Sequence, residues 1–197
     1  MSPVSELRVL QSRVVDRYAL SSMQAGMLVH ALQRGNEPGL DVQQVSITLH
    51  QPLDAALYVY AWYTVMERHP VLRSRLCWEG LEAPQQEVLD AVELPVTRAD
   101  WRGVVPEQLF TQLSAAAHRE RERGFDLAQA PLMRLHLARI GDLSWNILWT
   151  FHHVLLDGRA FDEILRETFE IHDCLRQRRI SSRCANSVCS VQRTFNR

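Results

Sequence analysis

From Ser144 to Phe151 the chain runs Ser-Trp-Asn-Ile-Leu-Trp-Thr-Phe, an aromatic and β-branched stretch that predicts a buried strand. Beyond it, Phe161, Ile164, Leu165, Thr168, Ile171 and Leu175 recur at three- and four-residue spacing, which predicts a helix over Arg159 to about Arg176. Upstream, Ser21 or Ser22 can cap a helix reaching about Leu32, with Met23, Met27, Leu28 and Val29 as its apolar face. The Gly35 to Gly39 stretch, with Pro38, ends it. Gln43 to His50 alternates, with Val45, Ile47 and Leu49 on one side, as a half-buried strand does. Asp54 caps a further helix in which Leu57, Ala61 and Val65 form one stripe and Tyr58, Trp62 and Met66 its neighbour, all expected in the core. Arg73 to Trp78 reads as a strand, with Glu87 to Leu89 able to pair with it. Pro106 opens a helix to about Glu122, with Leu109 and Leu113 inward and the Arg119 to Arg123 charge run solvated. Leu132 to Arg139 and Ser144 to His152, joined through Gly141-Asp142, predict a hairpin.

Candidate chemistry lies where the last strand runs out, in Phe151-His152-His153-Val154-Leu155-Leu156-Asp157-Gly158. Neighbouring strand residues face opposite ways, so His152 and His153 cannot both reach one small target, and a metal site is disfavoured because ligands must converge on one point. Gly158 permits close approach or unusual backbone angles between strand and helix. Asp157 could orient the histidine, ligate something, or hold the turn by pairing with a distant arginine. On spacing alone, a core histidine pair followed by an Asp-Gly turn is the plainer reading. The other histidines, His30, His50, His69, His118, His136 and His172, have no companion spacing.

The run resembles the HHxxxDG signature of the condensation domains of nonribosomal peptide synthetases, in the chloramphenicol-acetyltransferase-like superfamily. Further segments agree in order. Tyr18 to Leu28 resembles the first core motif (YPLSPMQxGML). Glu67 to Leu76 resembles the second (RHxxLRTxF), with Ser74 for the usual Thr and Leu76 for the usual Phe. Gly124 to Leu127 with Ala130 to Arg134 matches FDLxxxPLxR.

The resemblance covers residues 15–175 and implies an α/β (α+β) fold, the N-terminal subdomain of the superfamily, with a mixed, largely antiparallel sheet packed with helices. It implies that His153 faces a substrate tunnel and that the Gly158 amide helps polarise a carbonyl. His152 would be structural, and Asp157 would form a buried pair with Arg73 or, failing that, Arg68. The implied reaction is amide formation between an acyl or aminoacyl thioester and an aminoacyl acceptor. Both arrive on phosphopantetheine arms of peptidyl or acyl carrier proteins, so the chain itself needs no cofactor and no metal.

An adenylation domain is a family neighbour. The family domain is about twice this length, so the resemblance implies a missing C-terminal condensation subdomain, the opposite wall of the tunnel, and a truncated chain that alone is inactive. A coenzyme-A-dependent or stand-alone acyltransferase, an epimerisation domain and an inert carrier-binding remnant remain open. The MQxGML form points weakly to a D-configured donor.

Composition narrows the classes. The 197 residues are 46% hydrophobic and 23% charged, the balance of a soluble globular protein. A formal net charge of −1 gives no reason to invoke nucleic acid or an anionic membrane, and no apolar run or signal pattern suggests a span or export. The expected location is the cytoplasm. Lysine is absent, which removes any lysine nucleophile. Cys77, Cys174, Cys184 and Cys189 form no CxxC pair and read as reduced thiols. Residues 176–197 carry six arginines and no acid, and are expected to form a basic tail outside the domain, disordered or aberrant.

Overall fold

In the computed structural model, residues 12–177 apart from Asn36 and Pro38 are described. The tail expectation, with Cys184 and Cys189, therefore falls outside the described residues. The elements are β1 (Val14–Ala19), α1 (Ser22–Arg34), β2 (Val42–Leu49), α2 (Ala55–Arg68), a 3-10 turn (Pro70–Arg73), β3 (Ser74–Cys77), β4 (Gln85–Leu89), β5 (Val96–Asp100), α3 (Pro106–Glu122), β6 (Met133–Arg139), β7 (Trp145–His152) and α4 (Ala160–Arg176). They form two sheets. One is three-stranded in the order β1-β4-β3, all antiparallel; the other is four-stranded, β2-β7-β6-β5, antiparallel except for the parallel β5–β6 pair. This is the mixed, largely antiparallel α/β architecture that the resemblance implies. No helix among the described residues is long and apolar enough to cross a membrane.

The helix starts follow from their caps. Ser21 Oγ accepts the Gln24 amide N–H while Gln24 Oε1 accepts that of Ser21, a closed capping box. Asp54 Oδ1 accepts the N–H groups of Ala56 and Leu57, each at 3.0 Å. The core is built on one face of the four-stranded sheet, where alternation along β7 places Trp149 and Phe151 against Tyr58 and Trp62 of α2. Trp62 and Trp149 lose all solvent contact, and burial of such a side chain contributes about 1.5–3 kcal/mol. The opposite face of β7 carries Asn146, Thr150 and His152. Here Gln44 of β2 donates to Thr150 Oγ1 and to Ala117 O of α3, tying that helix to the second face.

Some expectations change. On α1 only Leu28 is buried; Met23 and Val29 are about half exposed, so the helix packs through a narrower stripe than its composition suggests. The Arg119–Arg123 run is not simply solvated. Glu120 pairs with Arg134 of β6, and Arg121 Nη1 donates to Val42 O at 2.9 Å. Two strands go beyond what the sequence pattern predicts. β1 is nearly all exposed and is held by backbone pairing and by Arg17, which meets buried Glu87 directly across the ladder, with Arg75 on the other side. β5 is a short, polar edge strand.

Candidate functional site

The site is the turn leaving β7. His152 continues the strand and His153 is the first residue beyond it, its N–H bonded to Asp41 O at 2.8 Å. Asp41 supplies that carbonyl from the left-handed region (φ 51°), which an Asp side chain tolerates better than most. Because the strand alternation holds through this point, the two rings lie on opposite faces of the sheet.

His152 is buried. Its Nδ1 accepts the Val154 N–H at 3.1 Å, which places the ring proton on Nε2, and the ring meets Phe125 edge-on at 6.4 Å. Burial, only partly opposed by the Asp41 carboxylate, pushes its pKa down to about 4. A ring held neutral and packed in this way organises the turn.

His153 is only partly buried, and its Nδ1 lies 2.9 Å from Leu156 O. A carbonyl oxygen can only accept, so Nδ1 carries a proton, and in the neutral ring Nε2 holds the lone pair. The residue lines a cavity of about 260 Å³ with Gln43, Val45, Phe151, Gly158 and Phe161. Gly158 has no backbone requirement for glycine, since its φ is not in the left-handed region and an added Cβ would meet nothing within 4 Å. What the missing side chain leaves there is open space beside His153. Such an arrangement can take a proton from a group in the cavity and has an unobstructed backbone at its floor.

The expected Asp157–Arg73 pair is not formed, and neither is the fallback with Arg68. Asp157 is exposed, and its Oδ1 accepts the N–H groups of Ala160 at 3.0 Å and Arg159 at 3.1 Å. These bonds, the Ala160 one foremost, hold its carboxyl below the usual range. It caps the start of α4. Arg73 instead donates to three carbonyls, Met66 O at the end of α2 and Leu89 O and Asp90 O at the end of β4. Arg68 is taken by Glu167 of α4, which also meets His69 Nε2 at 2.5 Å. The second core motif thus fastens α2 to β4 and α4. Among the described residues, no group of three or more His, Cys, Asp or Glu is arranged to hold a metal.

The FDLxxxPLxR segment also has a structural role. Arg134 is almost fully buried; it pairs with Glu120, donates to Gly124 O at 2.9 Å and lies 4.2 Å over the Phe125 ring. In the sequence Asp41 and Glu167 were not singled out, and Gln43 and Phe161 were read only as strand and helix positions. For Asp41 and Gln43 the only signal was their place at the start of the strand paired with β7.

The chain belongs to the condensation-domain family: the family's model, described as "Condensation domain", matches residues 14–183. It is 39% identical over 155 residues to a linear gramicidin synthase of Brevibacillus parabrevis, across 79% of this chain and 3% of that protein. Among solved structures, the first condensation domain of the CDA synthetase superposes with a TM-score of 0.73 at 20% identity, covering 84% of this chain and 42% of that one. A four-domain nonribosomal peptide synthetase bound to AMP and glycine gives 0.71 at 24% identity, covering 84% of this chain and 12% of that one. The chain therefore spans less than half the length of each of these relatives.

Proposed function

We propose that this chain supplies the histidine wall of a condensation site in nonribosomal peptide synthesis, with His153 as the group that handles the acceptor amine's proton. The observation that carries this is the Nδ1–H···O bond to Leu156, which leaves Nε2 as the nitrogen able to accept a proton on a residue that lines the cavity shared with Gly158. In the reaction, the acceptor amine nitrogen attacks the donor thioester carbonyl carbon. The amine proton passes to His153 Nε2, the C–S bond breaks, and the proton is returned to the departing thiolate, leaving an amide on the acceptor.

Proton transfer of this kind contributes on the order of 10²- to 10⁴-fold. Holding the two reactants together supplies as much as ~7–11 kcal/mol, the larger share. In this reading the Gly158 amide, unshielded by a side chain, donates to the carbonyl oxygen as it gains charge. His152, Asp157, Arg73 and Arg68 hold the frame.

In this reading the substrates arrive on phosphopantetheine arms of carrier proteins, and the chain binds no cofactor itself. Adenylation domains load those carriers, the remainder of a condensation domain forms the facing wall, and the work is done in the cytoplasm.

The test mixes donor- and acceptor-loaded carriers with this chain, with and without the rest of a condensation domain as a second chain, and follows the new amide by mass spectrometry. Amide formed only with both carriers supports the reading. Turnover of an acyl-coenzyme A with a free amine, without carriers, would point to an acyltransferase. Turnover in neither would leave an inert remnant.

A further inference from the structure

The turn that carries His153 is held from outside by a side chain of the first core motif. Gln24 Nε2 donates to Val154 O at 3.2 Å and to Gln86 Oε1 at 2.7 Å, while its own Oε1 accepts the Ser21 N–H at 3.0 Å. Every polar position of that amide relevant to orientation is used, and a flipped amide would set its oxygen against two acceptors. From Gln86, on β4, the chain of bonds continues. Gln86 Nε2 donates to Ser74 Oγ at 3.0 Å, and Ser74 donates to Val71 O at 2.7 Å. Gln86 and Ser74 are buried, so these bonds are not exchanged freely with water. The donors all run one way, outward from Gln24 to the histidine turn on one side and to the second core motif on the other.

We propose that Gln24 and Gln86 are positioning residues for His153. Val154, whose carbonyl Gln24 holds, follows His153 directly, and its N–H is the one bonded to His152 Nδ1. Two residues further on lies Leu156, whose carbonyl fixes the His153 proton on Nδ1. A shift of the turn at Val154 moves the Leu156 oxygen away from the ring, and the proton is then free to occupy Nε2, the nitrogen the reaction needs bare. Gln86 acts one step removed, by giving Gln24 the second acceptor that fixes its amide.

The inference rests on the reading of His153 as the reacting group, but its test does not need turnover. The informative substitution is Gln24→Glu. A carboxylate at that place still accepts the Ser21 N–H, so the capping box and α1 survive, but it cannot donate to Val154 O or Gln86 Oε1. The measurement is the nitrogen NMR of the His153 ring in the full chain, with circular dichroism confirming the fold. The wild type is expected to give the Nδ1–H pattern, and Gln24→Glu a mixture of tautomers. Gln86→Leu, which leaves the Val154 bond in place, is expected to move the pattern the same way by less, and it carries the test should Gln24→Glu fail to fold. His153 ring shifts unchanged from wild type in the folded variants would overturn the proposal.

In the complete condensing assembly the same coupling predicts a fall in turnover of roughly 10- to 100-fold for Gln24→Glu with KM altered less than about twofold. If the ring responds but even wild type forms no amide, the coupling stands and the functional reading falls. If wild type forms amide and the ring does not respond, the reverse holds.

Discussion

Arg134 is the residue on which the loop between α3 and β6 depends. Its side chain is 7% exposed and that of its partner Glu120 is 15% exposed, so both charges are largely removed from water. Arg134→Ala leaves the Glu120 carboxylate without its counter-charge and removes the donors to Gly124 O and Glu120 O together with the cation stacked on Phe125. Removing one partner from a pair buried to this degree costs about 3–5 kcal/mol, a large part of the ~5–15 kcal/mol that keeps a domain folded. Arg134→Lys keeps the charge but loses the planar fork that bonds in several directions at once, and is expected to fall between.

Arg134→Met combined with Glu120→Leu removes both charges. It should recover roughly 2 kcal/mol of the loss from Arg134→Ala, with the two backbone oxygens still lacking donors. Urea unfolding followed by tryptophan fluorescence measures all four proteins. An Arg134→Ala stability within about 1 kcal/mol of wild type, or a double variant no more stable than the single, would refute the buried-pair reasoning.

Three further outcomes are expected. His152 is neutral in the fold down to about pH 4, whereas the unfolded chain protonates it near 6.5. The unfolded state therefore binds more protons between these values, and stability is full above about 6.5 and lost as pH falls towards 4, by on the order of 3 kcal/mol. Urea midpoints across that window should slope accordingly and flatten in His152→Gln; an equal slope in both would assign the pH dependence elsewhere. Asp157→Ala should lower the thermal midpoint modestly and Asp157→Asn hardly at all, since Asn caps as well as Asp; a collapse like that of Arg134→Ala would restore a buried ion pair. Gly158→Val should fold normally, because the space beside it is open, yet block condensation by filling the cavity next to His153. Loss of the fold, rather than of turnover, would show that Gly158 serves the backbone.

Much of the fold was legible because local rules and tertiary packing agree. The aromatic alternation of β7, the caps at Ser21 and Asp54, and the Pro106 start of α3 each predict an element that the structure contains. The misses have a common cause, that edge strands carry little pattern. β1 faces solvent along nearly its whole length, and β5 is a five-residue polar segment recognisable only by its partner β6.

At the site, the opposite orientation of His152 and His153 follows from the period-2 pleat and was readable. The partner of Asp157 was not. The carbonyls that take Arg73 belong to the ends of α2 and β4, which only folding brings together, while Asp157 finds nearer donors in the first amides of α4. Gln24 was visible only as the Gln of the first core motif; nothing local announced that its side-chain nitrogen reaches Val154 and Gln86.

The central claim is that Nε2 of His153 takes the amine proton in the condensing step. It is tested most directly by single-turnover amide formation from donor- and acceptor-loaded carriers, comparing wild type with His153→Ala in the presence of the remainder of a condensation domain. A loss of about 10²- to 10⁴-fold in rate, with the fold and carrier binding kept, is the predicted result. Equal rates for the two proteins would contradict it.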